Sequence, residues 1–203
     1  MVVEQRLLET YEGSFEYSSE IVKESLEKND GKIILNGILQ KADTLNQNGR
    51  IYPKDVLERE VRNYQKFIIE NRACGELDHP ETSVVELKNV SHIIREAYLD
   101  GNVVRGKVEV LHKVPNGQIL KGLIESGVKL GISSRGVGST RKEGEYYVVQ
   151  DDFQLICWDF VSEPSTPGAF MIPEGRQFNV NSLNGFFKKS DRIDRILNEI
   201  LSA

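Results

Sequence analysis

Between Pro53 and Arg72, apolar side chains recur every three or four positions: Val56, Leu57, Val61, Tyr64, Phe67 and Ile68. That period places them on one face of a helix. Pro53 opens it at a position where a missing N–H costs nothing. A second helical pattern, Gln118 to Glu125, carries Ile119, Leu120, Leu123 and Ile124, and Gly127 stands where it would end it. Shorter patterns at the two ends, Ser18 to Glu27 with Ile21, Val22 and Leu26, and Asp191 to Leu201 with Ile193, Ile196, Leu197, Ile200 and Leu201, predict one helix each. Elsewhere the apolar residues come in short runs or alternate, which predicts strands at Lys32–Gln40, Val84–Leu87, Ser91–Leu99, Val103–Leu111, Val128–Ser134, Glu145–Val149 and Phe153–Val161. Asp100-Gly101, between two of these, is a hairpin turn signal. Asn46 to Pro53 reads as a turn-rich loop, and the Pro-, Gly-, Ser- and Asn-rich stretch 164–185 as a loop or linker. Many strands with few helices between them indicate an α+β protein with an antiparallel-rich sheet or barrel.

Composition narrows the function classes. The 203 residues suffice for one core, and 39% apolar with 28% charged residues is ordinary for a soluble domain. No apolar run reaches membrane-spanning length, and the first residues, Met1-Val2-Val3-Glu4-Gln5-Arg6, resemble no targeting signal. A net charge of −5 argues against nonspecific nucleic-acid binding, which depends on neutralising phosphates. Two cysteines, Cys74 and Cys157, fit buried thiols in a reducing compartment, and without a C-x-x-C pair neither a thiolate zinc site nor dithiol chemistry is indicated.

Chemistry concentrates in three segments. Histidines stand only at 79, 92 and 112, which limits the bases that work near neutral pH. His92 falls in an alternating strand and His112 at a strand end, positions that suit structural roles. His79 lies in Gly75-Glu76-Leu77-Asp78-His79-Pro80, where Pro80 favours an extended backbone and Gly75 permits close approach. The second segment is Gly131-Ile132-Ser133-Ser134-Arg135-Gly136-Val137-Gly138-Ser139. Its small residues would leave main-chain N–H groups open to a substrate strand, although it lacks Gly-x-Ser-x-Gly spacing. The third, Leu155-Ile156-Cys157-Trp158-Asp159-Phe160-Val161, sets a carboxylate among apolar residues, where it needs a partner such as a histidine. Asp78 competes for that role, but neighbours in an extended chain face opposite sides, which favours Asp159. Each segment alone also fits an ordinary turn or strand. A metal-dependent hydrolase built on His79, Asp78 and Glu76 is disfavoured because no pair of histidines stands at i, i+4.

Taken together, Asn48-Gly49-Arg50-Ile51-Tyr52-Pro53, the His79 segment, the Ser133 segment, and Asp159 through Pro164-Ser165-Thr166-Pro167 resemble the prohead core protein proteases of T-even-like bacteriophages. The resemblance implies a serine endopeptidase made as a zymogen, located in the host cytoplasm inside the prohead core. It would cleave itself and the phage scaffold and capsid proteins during capsid maturation. It also implies an assemblin-like fold, a mostly antiparallel β-barrel ringed by helices, over residues 32–170. A polar segment 1–31 and a linker with C-terminal helix, 171–203, would flank that domain. Assemblins place a second histidine third in the triad; with none after His112, Asp159 is the substitute. The family's Gly-hydrophobic-Ser pattern selects Ser133 over Ser134 as nucleophile. His79 is then the base, and main-chain N–H groups at Ser134, Arg135 and Gly136 would meet the oxyanion. Preference for cleavage after Glu in Leu/Ile-x-Glu points to Glu9 and Glu174 as processing sites. The expectation is a homo-oligomer acting without cofactor or metal, with no nucleic-acid or membrane partner. The alternative is a non-catalytic scaffold protein of the prohead.

Overall fold

The computed structural model describes residues 19–173 apart from Glu81. Glu9, Glu174 and the expected helix over 191–201 lie outside the described residues. Three helices, α1 (Ser19–Lys28), α2 (Lys54–Ile69) and α3 (Pro115–Glu125), are joined by ten strands, so the fold is α+β. A five-stranded sheet contains β1 (Ile33–Lys41), β3 (Cys74–Glu76), β4 (Val90–Asp100), β5 (Val103–Val110) and β10 (Met171–Pro173), in the order β10-β1-β5-β4-β3 and antiparallel throughout. A three-stranded sheet joins β2 (Arg50–Ile51), β8 (Tyr146–Val149) and β7 (Thr140–Glu143) in that order. The third sheet pairs β6 (Gly131–Val137) with β9 (Gln154–Val161).

Local chemistry accounts for most of these elements. The α2 helix buries Val56, Leu57, Val61 and Tyr64, four of the six residues of its apolar stripe. Its buried Glu60 accepts hydrogen bonds from Arg59 Nε and the Leu155 N–H, fastening the helix to β9. The α3 helix begins at Pro115, its first-turn proline, and Gly127, at φ +79°, ends it. There the N–H of Gly127 bonds to Ile124 and that of Val128 to Leu123, which satisfies carbonyls left over at the helix terminus. The next strand therefore starts at Gly131 rather than Val128. Between β4 and β5 the chain reverses at Gly101, φ +61°. Over Val90–Ile94, β4 is buried on both faces; the alternation read in the sequence survives only towards Asp100.

Three expectations change. Val84–Leu87 is no strand: the chain bends there and enters a 3₁₀ turn, Leu87–Asn89, leaving Val84 and Leu87 exposed. Apolar character without a sheet edge to join made no strand. Cys74–Glu76, not among the predicted strands, is a strand paired with β4 through a bulge at Gly75/Glu76. The stretch 164–185 begins as a loop but includes β10, which pairs with β1 beyond residue 170 and buries Met171 and Ile172. The three sheets share one apolar core. Isolated bridges also link them: Leu77 to Phe160 joins the end of β3 to β9, and Gly131 to Phe170 joins β6 to the chain entering β10. Among the described residues no continuous ladder closes the strands into a barrel. No helix among the described residues is long and apolar enough to cross a membrane.

Candidate active site

Antiparallel pairing of β6 with β9 sets Ser133 directly opposite Asp159 and Arg135 opposite Cys157. Residues directly opposite in such a ladder project from the same face, so hydroxyl, carboxylate, guanidinium and thiol share one side of the two-stranded sheet. The other edge of β9 receives the chain after β3: Leu77 bridges Phe160, and the Asp78 N–H donates to the Phe160 carbonyl at 2.7 Å. Asp78 sits at φ +59°, a left-handed kink rather than the extended backbone expected there. Asp and Asn tolerate this conformation better than other non-glycine residues. Past the kink, His79 turns back over β9 and its Nδ1 lies 2.9 Å from Asp159 Oδ2. The His79 side chain is 38% exposed while that of Asp159 is wholly buried.

Asp159 is fully hydrogen-bonded. Its Oδ1 accepts from the Glu76 N–H at 3.0 Å and the Cys157 thiol at 3.2 Å; its Oδ2 accepts from Arg135 Nε at 2.8 Å as well as facing His79. Burial alone would raise the carboxyl's pKa. The bonds from His79, Glu76 and Arg135 outweigh it and hold the group below the usual carboxylate range. Arg135 also donates to the Glu76 carboxylate and, at 2.8 Å, to the Thr82 carbonyl. Glu76, wholly buried, accepts the Glu86 N–H at 2.9 Å. The loop carrying His79 is thus tied to β9 at Asp78, to β6 at Thr82 and to β3 at Glu86. Burial and the neighbouring Asp159 charge push the Cys157 thiol well up, so it is a neutral donor. Cys74 and Cys157 are both free thiols.

Ser133 is 3% exposed, and its hydroxyl lies 3.2 Å from the Ser165 hydroxyl; no hydrogen bond joins it to His79. Ser165 is brought there because Pro164 packs against Gly131, where a Cβ would sit 2.5 Å from the proline ring. Gly136 is filled similarly by the Phe153 ring, so these glycines serve internal packing on the side a Cβ would occupy. Ser134 and Arg135 lie within the β6–β9 ladder, opposite Trp158 and Cys157. Arg135 turns its guanidinium into the buried carboxylates.

The structure therefore brings His79 and Arg135 each against Asp159 and sets Ser133 opposite Asp159 on the paired strand. Sequence reasoning missed two residues of this cluster. Glu76 enters the sequence reading only as a possible metal ligand, because its burial follows from a strand pairing that no local pattern announces. Ser165 carries no signal beyond its place in Pro164-Ser165-Thr166-Pro167. His92 and His112 lie apart from the cluster's hydrogen bonds. The His92 ring bonds to Ser91 and to the Trp158 carbonyl.

An imidazole held by a buried carboxylate, with a buried serine on the facing strand, is a residue set of the kind hydrolases use. Comparison with known proteins narrows the class. The family model described as prohead core protein serine protease matches residues 16–178. The prohead core protein protease of Enterobacteria phage T4 is 34% identical over 160 residues, spanning 73% of this chain and 76% of its own length. Among solved structures, the bacteriophage T4 capsid assembly protease, gp21, superposes with a TM-score of 0.62 at 32% identity, covering 64% of this chain and 82% of that one. The chain belongs to the prohead core protein serine protease family.

Proposed function

We propose that this protein is the serine endopeptidase of a phage prohead, cleaving scaffold and capsid proteins, and itself, inside the assembling shell in the host cell. Family membership supports the peptidase activity and the setting. The observation that carries the mechanism is the 2.9 Å contact between His79 and Asp159, with Ser133 directly opposite Asp159 in the ladder. With Nδ1 engaged by the carboxylate, the imidazole accepts a proton at Nε2. The Ser133 hydroxyl turns from Ser165 to that nitrogen, gives up its proton and attacks the scissile carbonyl; the imidazolium then protonates the leaving amine. Main-chain N–H groups from Ser134 to Gly136 meet the oxyanion, at about 3 kcal/mol per donor.

Cleavage follows Glu in Leu/Ile-x-Glu, and Glu9 and Glu174 are the self-processing sites, releasing a core of roughly residues 10–174. The two bridges that link the sheets edge to edge are the seams of an assemblin-like barrel. The enzyme works as a homo-oligomer. The test is to incubate the wild type and Ser133→Ala and map new termini by mass spectrometry. New termini after Glu9 and Glu174 in the wild type alone support the reading. Intact chains in both samples favour a scaffold role, and cleavage persisting in Ser133→Ala removes Ser133 from the mechanism.

A further inference from the structure

The buried polar cluster behind His79 contains more charge than orienting an imidazole requires. Asp159 on β9 and Glu76 on β3 are both wholly buried, and among the described residues the single cation between them is Arg135 on β6, itself 8% exposed. One guanidinium set against two carboxylates leaves the cluster one negative charge in excess. The remaining neighbours do not cancel it. Cys157 on β9 is held neutral, Asp78 on the His79 turn is exposed, and the Thr82 contact is a carbonyl. The group placed to balance the excess is the His79 ring, on the same Asp159 oxygen that Arg135 Nε binds. With contacts of 2.9 Å and 2.8 Å to that shared oxygen, the two nitrogens lie within about 6 Å of each other.

We infer that Arg135 and Glu76 are positioning residues that act as an opposed pair on His79: Arg135 restrains its basicity and Glu76 restores it. The cluster then becomes neutral when the ring takes up the serine proton, and stays singly charged while the ring is neutral. Asp159 alone would supply the same net charge. The added ion pair fastens the His79 loop through Thr82 and Glu86 without changing the total. Arg135 therefore has a role unlike the main-chain one at the oxyanion: its side chain touches no reacting atom.

This rests on His79 being the base of the proposed mechanism, but its test does not depend on cleavage. The full chain carrying Ser133→Ala is titrated by NMR, following the three histidine rings, with His79 identified by its loss in His79→Gln. Arg135→Met leaves two unbalanced carboxylates and raises the His79 midpoint by about one pH unit. Glu76→Gln removes one negative charge and lowers it by a similar amount. The double variant Arg135→Met/Glu76→Gln restores the original net charge, and its midpoint returns to within a few tenths of the parent. A loop merely loosened by these changes would move both single variants the same way, towards the value of a solvated ring. No shift, or shifts of one sign, overturn the inference. Should Arg135→Met fail to fold, Glu76→Gln and the double variant decide it. Separately, cleavage by the chain with Ser133→Ala would overturn the serine mechanism while leaving the titration result intact.

Discussion

His79 and His92 lean on neighbouring residues of the same strand, and β9 treats them in opposite ways. His79 reaches a side-chain carboxylate, that of Asp159, and keeps 38% of its surface open to solvent. His92 reaches a main-chain carbonyl, that of Trp158, at 2.9 Å, and is sealed between the Ser91 hydroxyl at 2.8 Å and the edge of the Phe160 ring. Burial pushes the His92 pKa down to about 4, the carbonyl and the more distant Asp159 charge offsetting only part of that effect. A ring so enclosed stays neutral at neutral pH, with a single N–H, and has no room for a substrate. On the proposed mechanism the difference is what a base needs: an anionic partner on one nitrogen and access to the other, conditions that enclosure removes.

The most forceful way to break the comparison is to delete each ring in turn. His79→Gln should lower cleavage of a capsid or scaffold substrate by about 10⁴-fold or more, with the melting transition little changed, because loss of a triad base removes nearly all the chemistry. His92→Gln should do the reverse, lowering stability while a measurable fraction of activity survives below the melting point. Equal losses of activity in both, with both folded, would mean that the sealed ring is also part of the chemistry.

Next in size is Gly75→Ala. A Cβ there would lie 2.2 Å from the Trp158 carbonyl oxygen and 2.3 Å from His92 Nε2. Neither neighbour is a flexible side-chain end that can swing aside. The β3 strand must withdraw from β9, at a cost of about 3 kcal/mol or more. Because β3 leads into the His79 loop, activity should fall with stability, whereas Gly122→Ala, which meets nothing within 4 Å, should do neither. Chemical denaturation of both variants checks this.

The pH dependence of stability sharpens the contrast further. His92 is depressed from an unfolded value near 6.5, so the unfolded chain binds the proton first. The stability that neutral His92 contributes is complete above pH 6.5. It is lost as the pH falls towards about 4, for a total of about 3 kcal/mol. Asp159 is also depressed, but from an ordinary carboxyl value, so its contribution is lost only below about pH 4. Denaturation midpoints measured at intervals from pH 7 to 4 should therefore slope downward in the wild type. They should run nearly flat over the same interval, by comparison, in His92→Gln. A parallel slope in both proteins would assign the effect elsewhere.

These contrasts also mark how far the sequence is legible. The α2 stripe, the β4–β5 hairpin and the Gly127 stop could be read because periodicity and turn chemistry are local. The β7 strand, Thr140–Glu143, could not, since an exposed, mostly charged edge has no apolar alternation to display. Nor could β3, whose three residues gain their place from Trp158 and His92, distant in the chain. In the site, the residues themselves pointed to His79 and Asp159, and the family resemblance selected Ser133 over Ser134. The role of the Arg135 side chain was hidden because it depends on β6–β9 register and on the bulge that follows Arg135. One residue of slip would carry Ser133 and Arg135 to the opposite face.

The smallest expected effect isolates what holds the sealed ring. The Trp158 carbonyl can only accept, so His92 Nε2 bears the hydrogen and Nδ1 must accept from the Ser91 hydroxyl. Ser91→Ala removes that donor and leaves Nδ1 buried without a partner, which costs about 1–2 kcal/mol. It creates only a small void and touches nothing in the His79 cluster, so cleavage should be unchanged at temperatures where the protein stays folded. A polar atom stripped of its partner in the core weakens the fold; the same loss at a half-open ring such as His79 would be met by water. Thermal melts of Ser91→Ala beside activity at a fixed low temperature separate the two outcomes, and a drop in activity without a drop in melting temperature would join the two histidines into one functional unit.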